Sequence, residues 1–208
     1  MSKVNKELLL EERKADLRKL FPNVFASSQE KRTCLNIGAY PDRVEIYDEL
    51  KDAGWEVDLL EIWKENCQYF SKTDFFSNIY HLNAIDIDTL SPRMWDMILW
   101  WHGPEHVTIG EFNVIIPRLI GRARSLVITG SPYQGRVHDD IDDLNSKRTQ
   151  IALKKHRGNL HQFHRWSCEK EDFVKFGMET YISTPSAECV PDEALRQQKR
   201  NIISWLRK

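Results

Sequence analysis

Apolar positions along this chain switch repeatedly between helical spacing and short unbroken runs, and the switching predicts an architecture. Val4, Leu8, Ala15, Leu17 and Leu20 recur among charges until Pro22, which predicts an amphipathic helix over 4–20. TCLNIGAY, from Thr33, is a short apolar run stopped by Gly38 and reads as a buried strand. Val44, Tyr47 and Leu50 return to helical spacing, Gly54 supplies a stop, and Val57 to Ile62 forms a second strand. Strand, helix and strand joined by short loops make a βαβ unit with a right-handed crossover. The order then repeats. Residues 64–76 are mixed and helical in character, Ile79 to Ile87 is a third strand, Ser91-Pro92 makes a turn, and DMILWW, from Asp96 to Trp101, is a fourth strand. No polar alternation follows Asp96, as in parallel sheets buried on both faces.

The second half is patterned less evenly. Thr108 and Glu111 have capping-box spacing before Phe112, Val114, Ile115, Ile116, Leu119 and Ile120, which predicts a helix that Pro117 kinks or shortens. SLVIT, from Ser125, is a fifth strand stopped by Gly130-Ser131-Pro132. Residues 133–165 lack periodicity. Ser167 caps a predicted helix from Cys168 to Phe176, and Met178 to Ser183 is a sixth strand. From Pro191 on, Leu195, Ile202, Ile203 and Leu206 stand at helical spacing, so the tail over 191–208 is predicted to be a helix.

Composition narrows the class. The 208 residues, 41% hydrophobic and 29% charged, suit a single domain over 1–208. Thirty Lys and Arg balance 31 Asp and Glu, which removes the global basic excess of a dedicated nucleic-acid binder. Cys34, Cys67, Cys168 and Cys189 are scattered without a CxxC pair, which points to reduced thiols in a cytoplasmic protein. The N-terminal stretch lacks the apolar segment of a signal peptide, and no run approaches the roughly 20 residues of a membrane span, so no membrane partner is expected.

Alternating strands and helices imply an open, doubly wound α/β sheet, which binds ligands beyond the carboxyl ends of its strands. That rule selects residues 38–43, Glu61 with Ile62 and Trp63, Asp86 and its neighbours, and 102–106. GAYPDRVE lacks the dinucleotide fingerprint, because Tyr40 and Arg43 stand where its later glycines belong. Asp42 and Glu45 have capping-box spacing and would place negative charge where a pyrophosphate needs bare amides. The loop therefore suits a ligand with a cationic centre and no phosphate, although Asp42 also reads as a simple helix cap. Glu61, at a strand end, is placed to accept hydrogen bonds from ribose hydroxyls. Asp86 is placed to accept from an adenine amino group, and both it and Asp88 also read as turn caps.

LNIGAY, VDLLEIW, DIDTLSPRMWDMILWWHGPEHV, SLVITGSP and NLHQFHRWS ahead of EDFVKFGMETYI together resemble the class I S-adenosylmethionine-dependent methyltransferases. The resemblance covers about residues 33–183 and is strongest toward small methyltransferase-like domains with an HGPEH segment after the fourth strand. It implies a Rossmann-like, seven-stranded α/β sandwich, S-adenosylmethionine as cofactor, and methyl transfer to a small-molecule or sugar-like acceptor. Gly38 and Ala39 would approach the amino acid part of the cofactor, with Tyr40 as the aromatic contact. Glu61 and Ile62 would approach the ribose, and Asp86 with Ile87 the adenine. The chain departs from the pattern twice: Tyr40 replaces the usual second glycine, and no antiparallel seventh strand is evident after Ser183.

In the same resemblance His102, Glu105 and His106 line the cleft where donor and acceptor meet, and Asn159 and His164 lie on its acceptor side. His102, Glu105, His106 and His164 are thus the candidate catalytic residues. His102-Gly-Pro-Glu105-His106 also matches the H-x-x-E-H pattern of some zinc peptidases, but those need both histidines on one helix, and Gly103-Pro104 suits a strand exit. His156, His161, His164 and Cys168 form a second cluster with only one thiol, so no metal site is expected. Trp100 and Trp101 read as core and wall. Two other functions compete. A non-catalytic binding module would dock a protein partner through Leu195, Ile202 and Leu206 of the tail, which also offers a homodimer surface. A nucleic-acid methyltransferase would use the basic run from Lys147 to Arg165.

Overall fold

The computed structural model describes residues 4–41, 45–134, 147–155 and 158–208. Seven strands carry the apolar runs: β1 Arg32–Ile37, β2 Trp55–Glu61, β3 Ile79–His81, β4 Trp95–Trp101, β5 Ala123–Pro132, β6 Glu179–Ser183 and β7 Asn201–Arg207. They form one sheet in the order β3-β2-β1-β4-β5-β7-β6. β1 to β5 pair in parallel, and β7 runs antiparallel between β5 and β6. The connections hold α1 Lys6–Leu20, α2 Pro22–Phe25, α3 Glu45–Asp52, α4 Lys64–Phe70, α5 Ile109–Arg122, α6 Lys147–Lys155, α7 Lys170–Val174 and α8 Glu193–Gln198. The strand order reverses between β1 and β4, which opens a crevice at their carboxyl ends.

Successive strand residues point to opposite faces, so each buried strand feeds two cores. Met97 and Leu99 of β4 pack with Leu17 of α1, Leu50 of α3 and Val57 of β2. Ile98 and Trp100 pack with Phe112, Ile115 and Ile116 of α5 and Phe173 of α7. A buried carboxylate in the middle of β2 interrupts this apolar sheet. Asp58 accepts from Arg93 at 2.6 Å, from the Trp95 indole at 2.8 Å and from Asn78 at 2.7 Å, which satisfies both of its oxygens.

Several elements differ from the sequence expectation. The third strand is three residues long, because Asn83 Oδ1 accepts from the Ile85 amide and starts a 3-10 segment, Ala84–Leu90. The Thr108 capping box is present, but α5 continues through Pro117 to Arg122. Burial of Phe112, Ile115, Ile116 and Leu119 outweighs one lost backbone hydrogen bond. β5 also runs past its predicted stop: Trp101 of β4 pairs with Gly130, and Pro132 occupies the last position of the strand. α7 spans Lys170–Val174 behind a Glu169–Asp172 capping box rather than running from Cys168 to Phe176 behind Ser167, because Cys168 bridges to Tyr133 instead. The proposed Asp42–Glu45 cap lies outside the described residues. Among the described residues no helix is long and apolar enough to cross a membrane.

The largest correction concerns the tail. Only Glu193–Gln198 is helical, and 201–207 is the antiparallel seventh strand that the sequence did not reveal. Ile202 faces the α5 core and Ile203 and Trp205 face the α1 core. A strand buried on both faces is apolar at adjacent positions, so its residues also match a helical count. Insertion between β5 and β6 satisfies backbone groups that open edges would expose. The tail helix proposed for partner docking or homodimerisation is therefore not present, and Ile202 is 0% exposed. Ile203→Ala should cost about 2–5 kcal/mol in urea unfolding, the range for a buried isoleucine. A change within about 0.5 kcal/mol would instead mark residue 203 as a surface position.

Candidate active site

Two groups of polar residues stand at the carboxyl ends of the adjacent strands β1 and β4. The first is built on the loop after β1. Gly38 has φ +73°, a left-handed conformation that glycine adopts without penalty, and the position a Cβ would take meets nothing within 4 Å. The loop is held from beneath by side chains. Asn36 donates to the Gly38 carbonyl at 2.6 Å and Asn66 to the Ala39 carbonyl at 2.8 Å. Glu61, buried at the end of β2, accepts from the Ala39 amide at 2.9 Å and from the Trp63 amide at 2.6 Å. Burial raises the Glu61 carboxyl above its ordinary range, and the hydrogen bonds it accepts oppose that rise. Tyr40 and Ile62 are half-buried beside this group. Asp86 is exposed in the 3-10 segment after β3, whereas Ile87 is 0% exposed in the core, so of that pair Asp86 presents its side chain outward.

The second group follows β4, where the two tryptophans enforce a tight exit. A Cβ at Gly103 would come within 1.8 Å of the Trp100 indole nitrogen, and that indole is packed against Phe112. His102 takes φ +52°, unusual for a residue with a side chain, and its amide donates to the Gly130 carbonyl at 2.7 Å. Pro104–His106 then forms one 3-10 turn. His102 and His106 consequently do not share a helix, which agrees with setting the peptidase pattern aside.

Glu105 is the centre of this group. It is 2% exposed, accepts at Oε2 from Ser131 Oγ at 3.0 Å, and stands 3.2 Å from His102 Nδ1 at Oε1. The other His102 nitrogen, Nε2, lies 3.3 Å from Arg13 Nη1. A guanidinium only donates, so Nε2 accepts and Nδ1 carries the proton given to Glu105. Arg13 also donates to Asn201 Oδ1 at 3.2 Å, tying α1 to the first residue of β7. Burial by itself would raise the Glu105 carboxyl. The His102 hydrogen bond and the electrostatic attraction of the His106, His102 and His164 rings outweigh it and hold the group down at about 2.

A third segment straps over this turn. Arg165 donates its amide to the Glu105 carbonyl at 2.7 Å and Trp166 its indole nitrogen to the Pro104 carbonyl at 2.7 Å. His106 Nδ1 lies 3.2 Å from the Phe163 carbonyl, and the His106 and His164 rings are 5.0 Å apart. Upstream, Asn159 caps the turn Leu160–Gln162, and the His161 ring meets Trp63 edge-on at 6.3 Å. The strap thus touches the elements after both β2 and β4.

The structure therefore brings His102, Glu105, His106 and His164 into one cluster, and Gly38, Ala39 and Glu61 into another. The supposed metal cluster of His156, His161, His164 and Cys168 is not assembled among the described residues, which exclude His156. Cys168 is buried, 3.0 Å from Ser131 Oγ, and burial drives its thiol pKa up. Sequence reading missed Arg13, Ser131 and Asn201. Arg13 looks like any other charge on an amphipathic helix, and Ser131 reads as part of a strand stop.

No protein-family model matches this chain, and no curated protein matches it in sequence. The likeness lies in structure. An S-adenosylmethionine-dependent methyltransferase from Archaeoglobus fulgidus superposes with a TM-score of 0.59 at 16% identity, over 95% of this chain and 94% of that one. The N-methyltransferase NodS from Bradyrhizobium japonicum WM9, in complex with S-adenosyl-L-homocysteine, gives 0.60 at 10% identity, over 96% and 87%. The plantazolicin methyltransferase BamL, in complex with a triazolic desmethylPZN analog and S-adenosylhomocysteine, gives 0.56 at 15% identity, over 96% and 88%. The fold of this chain is the Rossmann-like α/β fold of the class I methyltransferases.

Because the buried Trp100 ring stands where the new Cβ would go, Gly103→Ala should destabilise the protein by about 1–3 kcal/mol, an overpacking cost measurable by denaturant titration. A neutral result would mean that the turn after β4 has room to move.

Proposed function

We propose that this chain is an S-adenosylmethionine-dependent methyltransferase of a small-molecule or sugar-like acceptor. The observation that carries the reading is the pairing, at adjacent strand ends of this fold, of an open glycine loop backed by Glu61 with a histidine and glutamate cluster around Glu105. The bound cofactor would supply a methyl group on a positively charged sulfur. What supports a fit for such a group is that, among the described residues, nothing stands within 4 Å of where a Cβ at Gly38 would be.

Each part of the site then has a task. The Gly38 and Ala39 backbone would hold the amino acid end of the cofactor, with Tyr40 alongside. Glu61, which already accepts from the Ala39 and Trp63 amides, would accept from the ribose hydroxyls at the end of β2. Ile62 lies beside that ribose position. Asp86, exposed after β3, would accept from the adenine amino group, and the Ala84–Leu90 turn that anchors Ile87 in the core fixes its place. Methyl transfer is a displacement, so most of the acceleration comes from aligning donor and acceptor. His102, Glu105, His106 and His164 would orient the acceptor oxygen or nitrogen. Their buried carboxylate stabilises positive charge that develops around the histidines. Four free, buried cysteines suit work in the reducing cytoplasm.

Calorimetric titration of S-adenosylmethionine and S-adenosylhomocysteine tests the cofactor site. Binding near micromolar affinity, about −8 kcal/mol, is expected, and Asp86→Ala, a change at an exposed position, should weaken it about tenfold. No heat from either ligand, with a folded sample free of carried-over cofactor, would overturn the reading. His106→Ala should keep cofactor affinity and lose about 10²-fold or more in turnover across a panel of small hydroxyl and amine acceptors. Unchanged turnover would remove His106 from the reaction.

A further inference from the structure

We infer that Glu105, His106 and His164 form a binding site for a divalent transition cation of the Zn²⁺ type, on the acceptor side of the cleft. Each residue offers one donor atom, and the three atoms lie within 4.8 Å of one another. Two imidazoles and a carboxylate are a borderline donor set, which suits Zn²⁺, Co²⁺ or Fe²⁺ better than the hard cations Mg²⁺ and Ca²⁺. Ligand bonds of about 2.0–2.2 Å require donors somewhat closer than this, and His106 Nε2 to Glu105 Oε1 is already 3.8 Å.

The hydrogen-bond pattern leaves one His106 nitrogen for a ligand. The Phe163 carbonyl only accepts, so His106 Nδ1 carries a proton, and Nε2 is the atom that can coordinate. Nε2 stands 3.8 Å from Glu105 Oε1 in a half-buried site. A proton on Nε2 or a cation between the two atoms would attract the carboxylate, so a bound cation would take the place of that proton. A ring N–H given to a backbone carbonyl is also the way proteins orient a metal-bound histidine. Glu105 is braced in the same manner, by His102 at one oxygen and Ser131 at the other. His102 itself is excluded as a ligand, because Arg13 and Glu105 take both of its nitrogens.

The site replaces the one that sequence spacing suggested and then rejected. His164, from the strap, takes the place that His102 would have held in an H-x-x-E-H centre. Three protein ligands leave at least one coordination position for an outside oxygen. Its assignment to the acceptor rests on the methyltransferase reading; cation binding does not.

The test is titration of Zn²⁺ and Co²⁺ into the whole protein after removal of metal with a chelator, without S-adenosylmethionine. One equivalent should bind at micromolar affinity or tighter, and Co²⁺ should develop visible absorption bands of nitrogen and oxygen coordination. His106→Ala, His164→Ala and the gentler His164→Gln should each weaken binding at least tenfold while keeping the native circular dichroism spectrum. His81→Ala, at an exposed histidine outside the cluster, should leave affinity as it was. Affinity weaker than about 0.1 mM, or affinity that survives both His106→Ala and His164→Ala, would overturn the proposal. Cofactor titration of the same sample separates the two ideas, since metal binding without cofactor binding keeps this site and removes the methyltransferase reading.

Discussion

Five parallel strands cannot turn either face to water, because each crossover lays a helix against the sheet and every strand becomes apolar on both sides. Most of this molecule follows from that constraint. Helices α1 and α3 cover one face and α5 and α7 the other, so polar groups are pushed to the strand ends. The last open edge of the parallel set is β5, and the chain closes it with its final residues. β7 enters antiparallel beside β5, which places Asn201 level with Pro132 at the carboxyl ends. That register is also what lets Arg13 bridge α1, β7 and His102.

Against so apolar a background, the cluster around Glu105 is costly to build and correspondingly informative. An unpaired buried carboxylate would be neutralised by its surroundings. Here His102, Ser131, His106 and His164 converge on it from β4, β5 and the strap, and the group stays ionised. Asp58 shows the contrasting case. Its oxygens accept from Arg93, Trp95 and Asn78, which ties β2 to the start of β4. These two buried acids thus differ in their partners: an arginine, an indole and an amide around Asp58, imidazoles and a hydroxyl around Glu105.

The solved methyltransferases share this shape at 10% to 16% identity. Such distance is what the double-sided sheet permits, since many apolar side chains satisfy the same burial pattern. Residues at the strand ends are under no such packing rule.

How much was legible follows from the range of the forces involved. Hydrophobic periodicity and capping are local, so α1, β1, β2, β4, the Thr108 cap and the position of Glu61 at a strand end could be read directly from the residues. The resemblance carried by HGPEH also directed attention to His102, Glu105, His106 and His164. Local pattern failed where partners are distant. Adjacent apolar residues in 202–206 fit a helix until the sheet supplies two faces to bury them. Ser131 looks like a stop until Ile202 of β7 pairs across from it. Arg13 has no signature at all, and His164 meets His106 only through hydrogen bonds that fold the strap onto Pro104 and Glu105. The sequence by itself determined an alternating α/β chain with polar candidate residues at the strand ends, because neighbours in the chain set burial and caps. Only the tertiary structure decided the seventh strand and the meeting of His164 with Glu105 and His106, because both depend on contacts between residues that the chain keeps far apart.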